Sequence, residues 1–388
     1  MSFTSNKNKY IRHNPSNRVP GLIDSSLNTN QIFNGDYWDD CLLPMYFRQQ
    51  TNTVLVLGVG LGSGFRSLYA ANPSLDVVGV DIDQQAIDEC NQLIERNFEH
   101  HPILIADDAL NYLISSKNTF DMILVDLYDS DGPVTDTFTS SFWTYLKARL
   151  NPGGIVAANV YGIANHLERY LDESPLKSMA AAAKQSLKYI KVAPHRRNTT
   201  IIASGSPLNK VYPIDNNAAD NIDRLTLKTQ YLRSKHLVPF FDVAHQPVRH
   251  QFTFEQINHL QREAWGQFLA EFNGTLNDIT FISPRALVET LSSPDTGPCL
   301  LQSILEKCEH LSVMLPTYLG AEIHNRDMKL DWYFEYLFEH AKDLSTDKPY
   351  LWFNFFLPQW ISMLNSKPSW RTLNFSEKIN KCGGLNEL

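Results

Sequence analysis

The sequence predicts an α/β fold: a doubly wound, mostly parallel sheet followed by an additional, mostly α-helical carboxyl-terminal region. Three observations predict it. From Thr53 onward, short apolar runs alternate with helical patterns, as parallel strands buried on both faces require. The turn after the first run is glycine-rich, with Gly58, Gly60, Gly62 and Gly64 at alternate positions. After about residue 207 the strand pattern gives way to helical periodicity.

The elements follow in order. Residues 1–20 are polar and read as a flexible arm, and residues 21–47 carry an Asn34–Gly35 turn signal with aromatic flanks, a small cap or hairpin. The runs TVLVLGV, DVVGVD, PILIAD and FDMILVDLY read as strands, separated by helices in GFRSLYAANP, QQAIDECNQLIERNF and ALNYLISS. SSFWTYLKARLNPGGIVAANVYG adds a helix, a glycine turn and a strand. A long helix through SPLKSMAAAAKQSLKYI leads to YIKVAPHRRNTTIIASG, an antiparallel pair closing the sheet. SPLNKVYPIDNNAADN is a linker, and FEQINHLQREAWGQFLAEF and KLDWYFEYLFEHAKDL are helical. Three segments result: an arm and cap over 1–48, a nucleotide-binding α/β domain over 49–207, and a helical domain over 208–388.

Composition narrows the function. Of 388 residues, 43% are hydrophobic and 20% charged, ordinary for a soluble globular protein. The net charge of -8 and the lack of any basic stripe beyond His195 to Arg197 argue against a nucleic-acid partner. The five scattered cysteines have no CxxC spacing and read as reduced thiols. The first twenty residues lack the apolar centre of a secretory signal, and PYLWFNFFLPQWISML, broken by Pro358, is too short for a membrane span. A cytoplasmic location and no membrane partner are expected. The late histidines His245, His250, His259, His324 and His340 show no His-x3-His spacing, so no metal is expected. The aromatic run from Tyr350 to Trp360 reads as core or subunit interface, which leaves room for a homodimer.

The glycine turn sits where missing side chains let backbone amides approach a ligand at a helix amino terminus. Its spacing is G-x-G-x-G, not the dinucleotide G-x-G-x-x-G. Asp81, about twenty residues on at the end of the second strand, can accept from both ribose hydroxyls. Asp83 is the expected cap of the helix that follows, while either Asp107 or Asp108 could cap ALNYLISS.

VLVLGVGLGSG, GVDID, IADDALNYL and FDMILVDLYDSDGP, in this order, resemble the Rossmann-like class I S-adenosylmethionine-dependent methyltransferase fold, and within it the spermidine synthase (aminopropyltransferase) branch. The resemblance covers roughly residues 25–206, and DLYDSDGP is its most specific part. It implies a cofactor, S-adenosylmethionine or its decarboxylated form, held by Gly58, Gly60, Gly62, Asp81, Asp107 or Asp108, and Asp126. It implies that Asp126 holds an amine and that Asp129, on a closing loop, helps deprotonate the acceptor. Tyr37, Trp38 and Tyr128 then border the substrate, though Tyr37 and Trp38 read equally well as packing residues.

Two departures bear on the reaction. Spermidine synthases carry an Asp in the glycine turn where this chain has Leu61, and their Tyr-Gln-Glu stands here as Tyr37, Trp38 and Asp39. Losing an acid that would pair with the aminopropyl amine favours intact S-adenosylmethionine and methyl transfer to a small, amine-bearing substrate. Aminopropyl transfer and a non-catalytic binding module are the alternatives.

Overall fold

The structure, a computed structural model, describes residues 10–13, 25–28, 33, 37–97, 101–195, 197–214, 221–239, 251–275, 284–291, 293, 295–307 and 339–358. The Asn34–Gly35 turn, His245, His250, His324 and residues 329–338 of the helix expected over 329–344 lie outside them.

Strands β1 (Tyr10–His13) and β2 (Ser25–Asn28) pair antiparallel, so part of the expected flexible arm is a backbone-paired ribbon. The next segment, Tyr37–Phe47, is a 3-10 helix rather than a hairpin. Pro44 inside it has no N–H to give an α-helical ladder.

Next come β3 (Thr53–Leu57), α1 (Ser63–Ala71), β4 (Asp76–Asp81), α2 (Gln84–Asn97), β5 (Ile103–Ala106), α3 (Ala109–Ser115) and β6 (Phe120–Val125). They continue through α4 (Ser140–Ala148), β7 (Leu150–Tyr161), α5 (Pro175–Ser186), β8 (Tyr189–His195) and β9 (Asn198–Ser204). With β10 (Val238–Pro239) they give an eight-stranded sheet of order β10-β8-β9-β7-β6-β3-β4-β5. Neighbours from β5 to β7 are parallel, while β9 runs antiparallel to both β7 and β8. The expected closing pair is therefore present, with β9 inserted beside β7.

Burial follows the sequence pattern. The run FDMILV of β6 is buried at every position, as a central strand covered on both faces must be. At the sheet edge β5 leaves Ile103 largely exposed. Helix starts are fixed by side chains: Asp83 accepts from Gln85 N at 2.9 Å, Asp108 from Asn111 N at 2.9 Å, and Ser174 from Lys177 N at 3.1 Å. At the opposite sheet end Asp121 accepts from the Asn52 and Thr53 amides, Asn151 and Arg48. Burial pushes that carboxyl up, but these hydrogen bonds and the Arg48 charge hold it below its ordinary value.

The later helices, α6 (Asn221–Lys235), α7 (Phe254–Thr275), α8 (Pro284–Leu291) and α9 (Gly297–Lys307), pack into the same hydrophobic cluster as the sheet. Tyr46 donates to Leu227 O at 2.7 Å, and buried Arg233 on α6 pairs with buried Asp40 of the 3-10 helix. Helix Ala341–Asp347 leads to a π turn, Trp352–Phe356, all five residues of which are buried. The described part of the aromatic run is thus core. His259 lies on α7 and His340 precedes the helix at Ala341. Among the described residues no helix is long and apolar enough to cross a membrane.

Candidate functional site

In open α/β sheets ligands bind beyond the carboxyl ends of the strands, where the chain order reverses. Here that point lies between β3 and β6, and a cleft of about 820 Å³ opens there. It collects every site residue expected from the sequence: Gly58, Gly60 and Gly62; Asp81, Asp107, Asp108, Asp126 and Asp129; Tyr37, Trp38 and Tyr128.

The glycine turn leaves β3 into α1. Gly58 has φ +87°, and a Cβ there would lie 2.0 Å from the Asp126 carbonyl oxygen. Only a residue without a side chain lets β3 and the β6 tip close together. Gly62, also at positive φ, begins α1 without a side-chain cap. Asp81 braces the turn: its Oδ2 accepts from Val59 N at 2.8 Å and Gly60 N at 3.0 Å, and its Oδ1 from Asp83 N at 3.0 Å.

The choice between Asp107 and Asp108 resolves by geometry. Both residues border the cleft; Asp108 caps α3, whereas the Oδ1 of Asp107 accepts its neighbour's amide at 2.8 Å. Leu61 corrects the sequence reading. Its side chain is buried against Leu93 and does not border the cleft, so it cannot act on a ligand directly. What the cleft meets at this turn is mainly backbone.

Asp126 follows the last residue of β6. Its Oδ1 accepts from Asn159 Nδ2 at 2.8 Å, and Tyr37 hydrogen-bonds the same carboxylate. Burial pushes this carboxyl up to about 6; the bonds from Asn159 and Tyr37 pull it down, and the charge of Asp81 raises it. Asp129, more exposed, uses Oδ1 to accept from Asp131 N at 2.7 Å and Gly132 N at 3.0 Å. The Tyr128 hydroxyl turns toward β7, donating to Asn159 O at 3.1 Å and accepting from Tyr161 N at 2.5 Å. Tyr128 therefore offers the cleft its ring. Cys41 also lines the cleft, but burial and the charges of Asp39 and Asp40 push its thiol well up, away from thiolate chemistry.

Several lining residues escaped the sequence reading. Asn159 had a signal, a lone amide within the apolar run IVAANVYG. Asp136, Tyr161, Phe254 and Asn258 had none. Among the described residues seven aspartates line the cleft, and no lysine, arginine or histidine joins them there. Such a site favours cations.

A parallel sheet with one inserted antiparallel strand, a glycine turn and acids at successive strand tips define a Rossmann-like α/β fold. Within it, residues 42–212 match the spermine/spermidine synthase domain. A probable polyamine aminopropyl transferase of Bifidobacterium longum (strain NCC 2705) is 28% identical over 161 residues, covering 38% of this chain and 36% of that protein. The polyamine aminopropyltransferase of Enterobacter sp. (strain 638) is 31% identical over 121 residues, covering 30% of this chain and 42% of that one. The chain thus spans well under half the length of these curated relatives. A probable spermidine synthase from Corynebacterium glutamicum ATCC 13032 superimposes with TM-score 0.42 and 16% identity, covering 63% of this chain and 84% of the other. Human methyltransferase-like protein 13 in complex with SAH gives 0.37 and 18%, covering 54% and 93%.

Proposed function

We propose that this protein transfers an alkyl group from an adenosyl sulfonium donor to the nitrogen of an amine, and that the group is aminopropyl, carried by decarboxylated S-adenosylmethionine. The observation that carries this reading is the charge of the cleft, seven aspartates with no basic side chain among the described lining residues. A decarboxylated donor brings a sulfonium and an ammonium. The carboxylate of intact S-adenosylmethionine would lie among like charges, and the Val59 and Gly60 amides that could hold it are already bound to Asp81. The polyamine aminopropyltransferases similar to residues of this chain support the same reading.

The residues fit an adenosyl donor: the glycine turn borders the cleft mainly with backbone, and Asp81 and Asp107 beside it supply acceptors. The donor supplies a carbon already activated by its sulfonium. The chain's part is to align and deprotonate the attacking amine. In this reading Asp126 holds an ammonium against Tyr37 and Asn159, and Asp129, nearer solvent, takes the proton that the amine must lose.

Methyl transfer is the second reading, favoured by the part of the glycine turn that borders the cleft, Gly58 to Gly60 and Gly62 to Gly64, which offers no acid to an aminopropyl amine. The by-products separate the two. The protein is incubated with each donor and an α,ω-diamine, and the products are resolved by mass spectrometry. Methylthioadenosine from the decarboxylated donor is expected. S-adenosylhomocysteine from intact donor alone would establish methyl transfer instead, and failure to bind either adenosyl by-product in calorimetry would overturn both readings.

A further inference from the structure

We propose that the amino-terminal end of α7, outside the matched domain, forms the aromatic wall of the amine subsite, and that Phe254 sets the length of amine chain it takes. The inference rests on the amine-acceptor reading above. Phe254 borders the cleft together with Tyr128 and Tyr161. Its ring lies 6.4 Å from that of Tyr128 at an interplanar angle of 11°, and 5.7 Å from that of Tyr161 at 71°.

The wall is built rather than incidental. Tyr128 is locked to β7 through its hydroxyl. Arg197 sits 4.6 Å over Tyr161, donates to Gly162 O at 3.0 Å, and reaches α7 by donating to Asn258 Oδ1 at 2.9 Å. The Phe254 amide donates to Asp131 O at 2.7 Å, and a Cβ on Gly132 would lie 2.4 Å from Phe252 O. The loop that carries Asp129 is therefore packed directly on the start of α7.

Position gives the chemistry. Tyr128 stands between Asp126 and Asp129, so an amine with one end at these acids runs its carbon chain along the rings. Ring faces attract ammonium groups and exclude water from methylenes. Phe254, contributed by α7, closes the stretch that Tyr128 begins.

The test uses the full chain with Phe254→Ala and Phe254→Leu. Affinities for a series of α,ω-diamines of increasing length are measured by calorimetry with methylthioadenosine present, alongside the affinity for methylthioadenosine itself. Phe254→Ala is expected to weaken the diamine preferred by the wild type about tenfold and to move the optimum to longer chains, with methylthioadenosine binding unchanged. Phe254→Leu, which keeps apolar packing, falls between and carries the test if the alanine variant does not fold. An unchanged length profile overturns the inference, as does parallel loss of methylthioadenosine binding, the mark of a merely structural residue. A wild type that binds methylthioadenosine but no diamine overturns the inference and the amine acceptor together, whereas one that binds no adenosyl compound overturns the donor reading first.

Discussion

Replacing Asp126 with Asn should stabilise the ligand-free protein while removing its hold on an amine. Burial raises this carboxyl from 3.8 to about 6, roughly two pH units, and at about 1.4 kcal/mol per unit its ionisation in the folded state costs roughly 3 kcal/mol. The direction with pH follows. Below the unfolded value both states hold the proton and the cost is absent. As pH rises from there, the unfolded chain ionises first and wild-type stability falls, until the whole cost is present above the folded value of about 6. Asparagine cannot ionise, yet keeps an oxygen to accept from Asn159. The variant should match the wild type near the unfolded value and exceed it at neutral and alkaline pH.

An unfolding entropy of about 2.1 cal/mol/K per residue over 388 residues gives about 1.2 °C per kcal/mol, so the gain is about 4 °C in Tm. Thermal melts of both proteins without ligand across the pH range read it directly. A difference that does not change with pH, or a variant that melts lower than wild type at alkaline pH, would refute the reasoning. In the same preparation, calorimetry should register loss of diamine binding.

Asp129→Asn should lower single-turnover rates about a hundredfold while methylthioadenosine affinity stays within error, because Asn keeps the oxygen that accepts from Asp131 N and Gly132 N but not the charge. Gly58→Ala should cost about 2–5 kcal/mol, since it combines a φ of +87° with a Cβ at 2.0 Å from Asp126 O; denaturant melts check it, and wild-type stability would show that the turn has another conformation.

The sheet was legible because its strands are unbroken apolar runs and the turns between them carry glycine or a capping acid; β6 and the Asp83 cap are cases in point. The cleft was legible for a related reason. Strand tips in a parallel sheet converge, so Asp81, Asp107 and Asp126 had to meet once their strands were paired. Between Asp107 and Asp108 the sequence could not choose, since both precede the helix and only the backbone decides which carboxylate reaches Asn111 N. Leu61 was misjudged because its direction depends on a turn flanked by positive-φ glycines and on Leu93 of α2, neither visible in the local motif. Phe254 and Asn258 reach the cleft from a helix distant in sequence, through packing that no short pattern encodes.

Among the described residues the cleft gathers acids without cations, and several of the carboxylates are hydrogen-bonded locally while keeping their charge. Asp81 is satisfied by three backbone amides, Asp108 by its helix and Asp129 by its own turn. Asp126 is held instead by two side chains, and its carboxyl rises to about 6. An arriving ammonium must therefore compete with a proton at this residue. Binding and ionisation are linked, so amine affinity should climb as pH rises through about 6 and level off above it. Below that value binding should release a proton, measurable as a dependence of the calorimetric heat on the buffer's ionisation enthalpy. An amine affinity independent of pH across this range would mean that the ammonium rests on the other acids, with Asp126 left to hold Tyr37 and Asn159 in place.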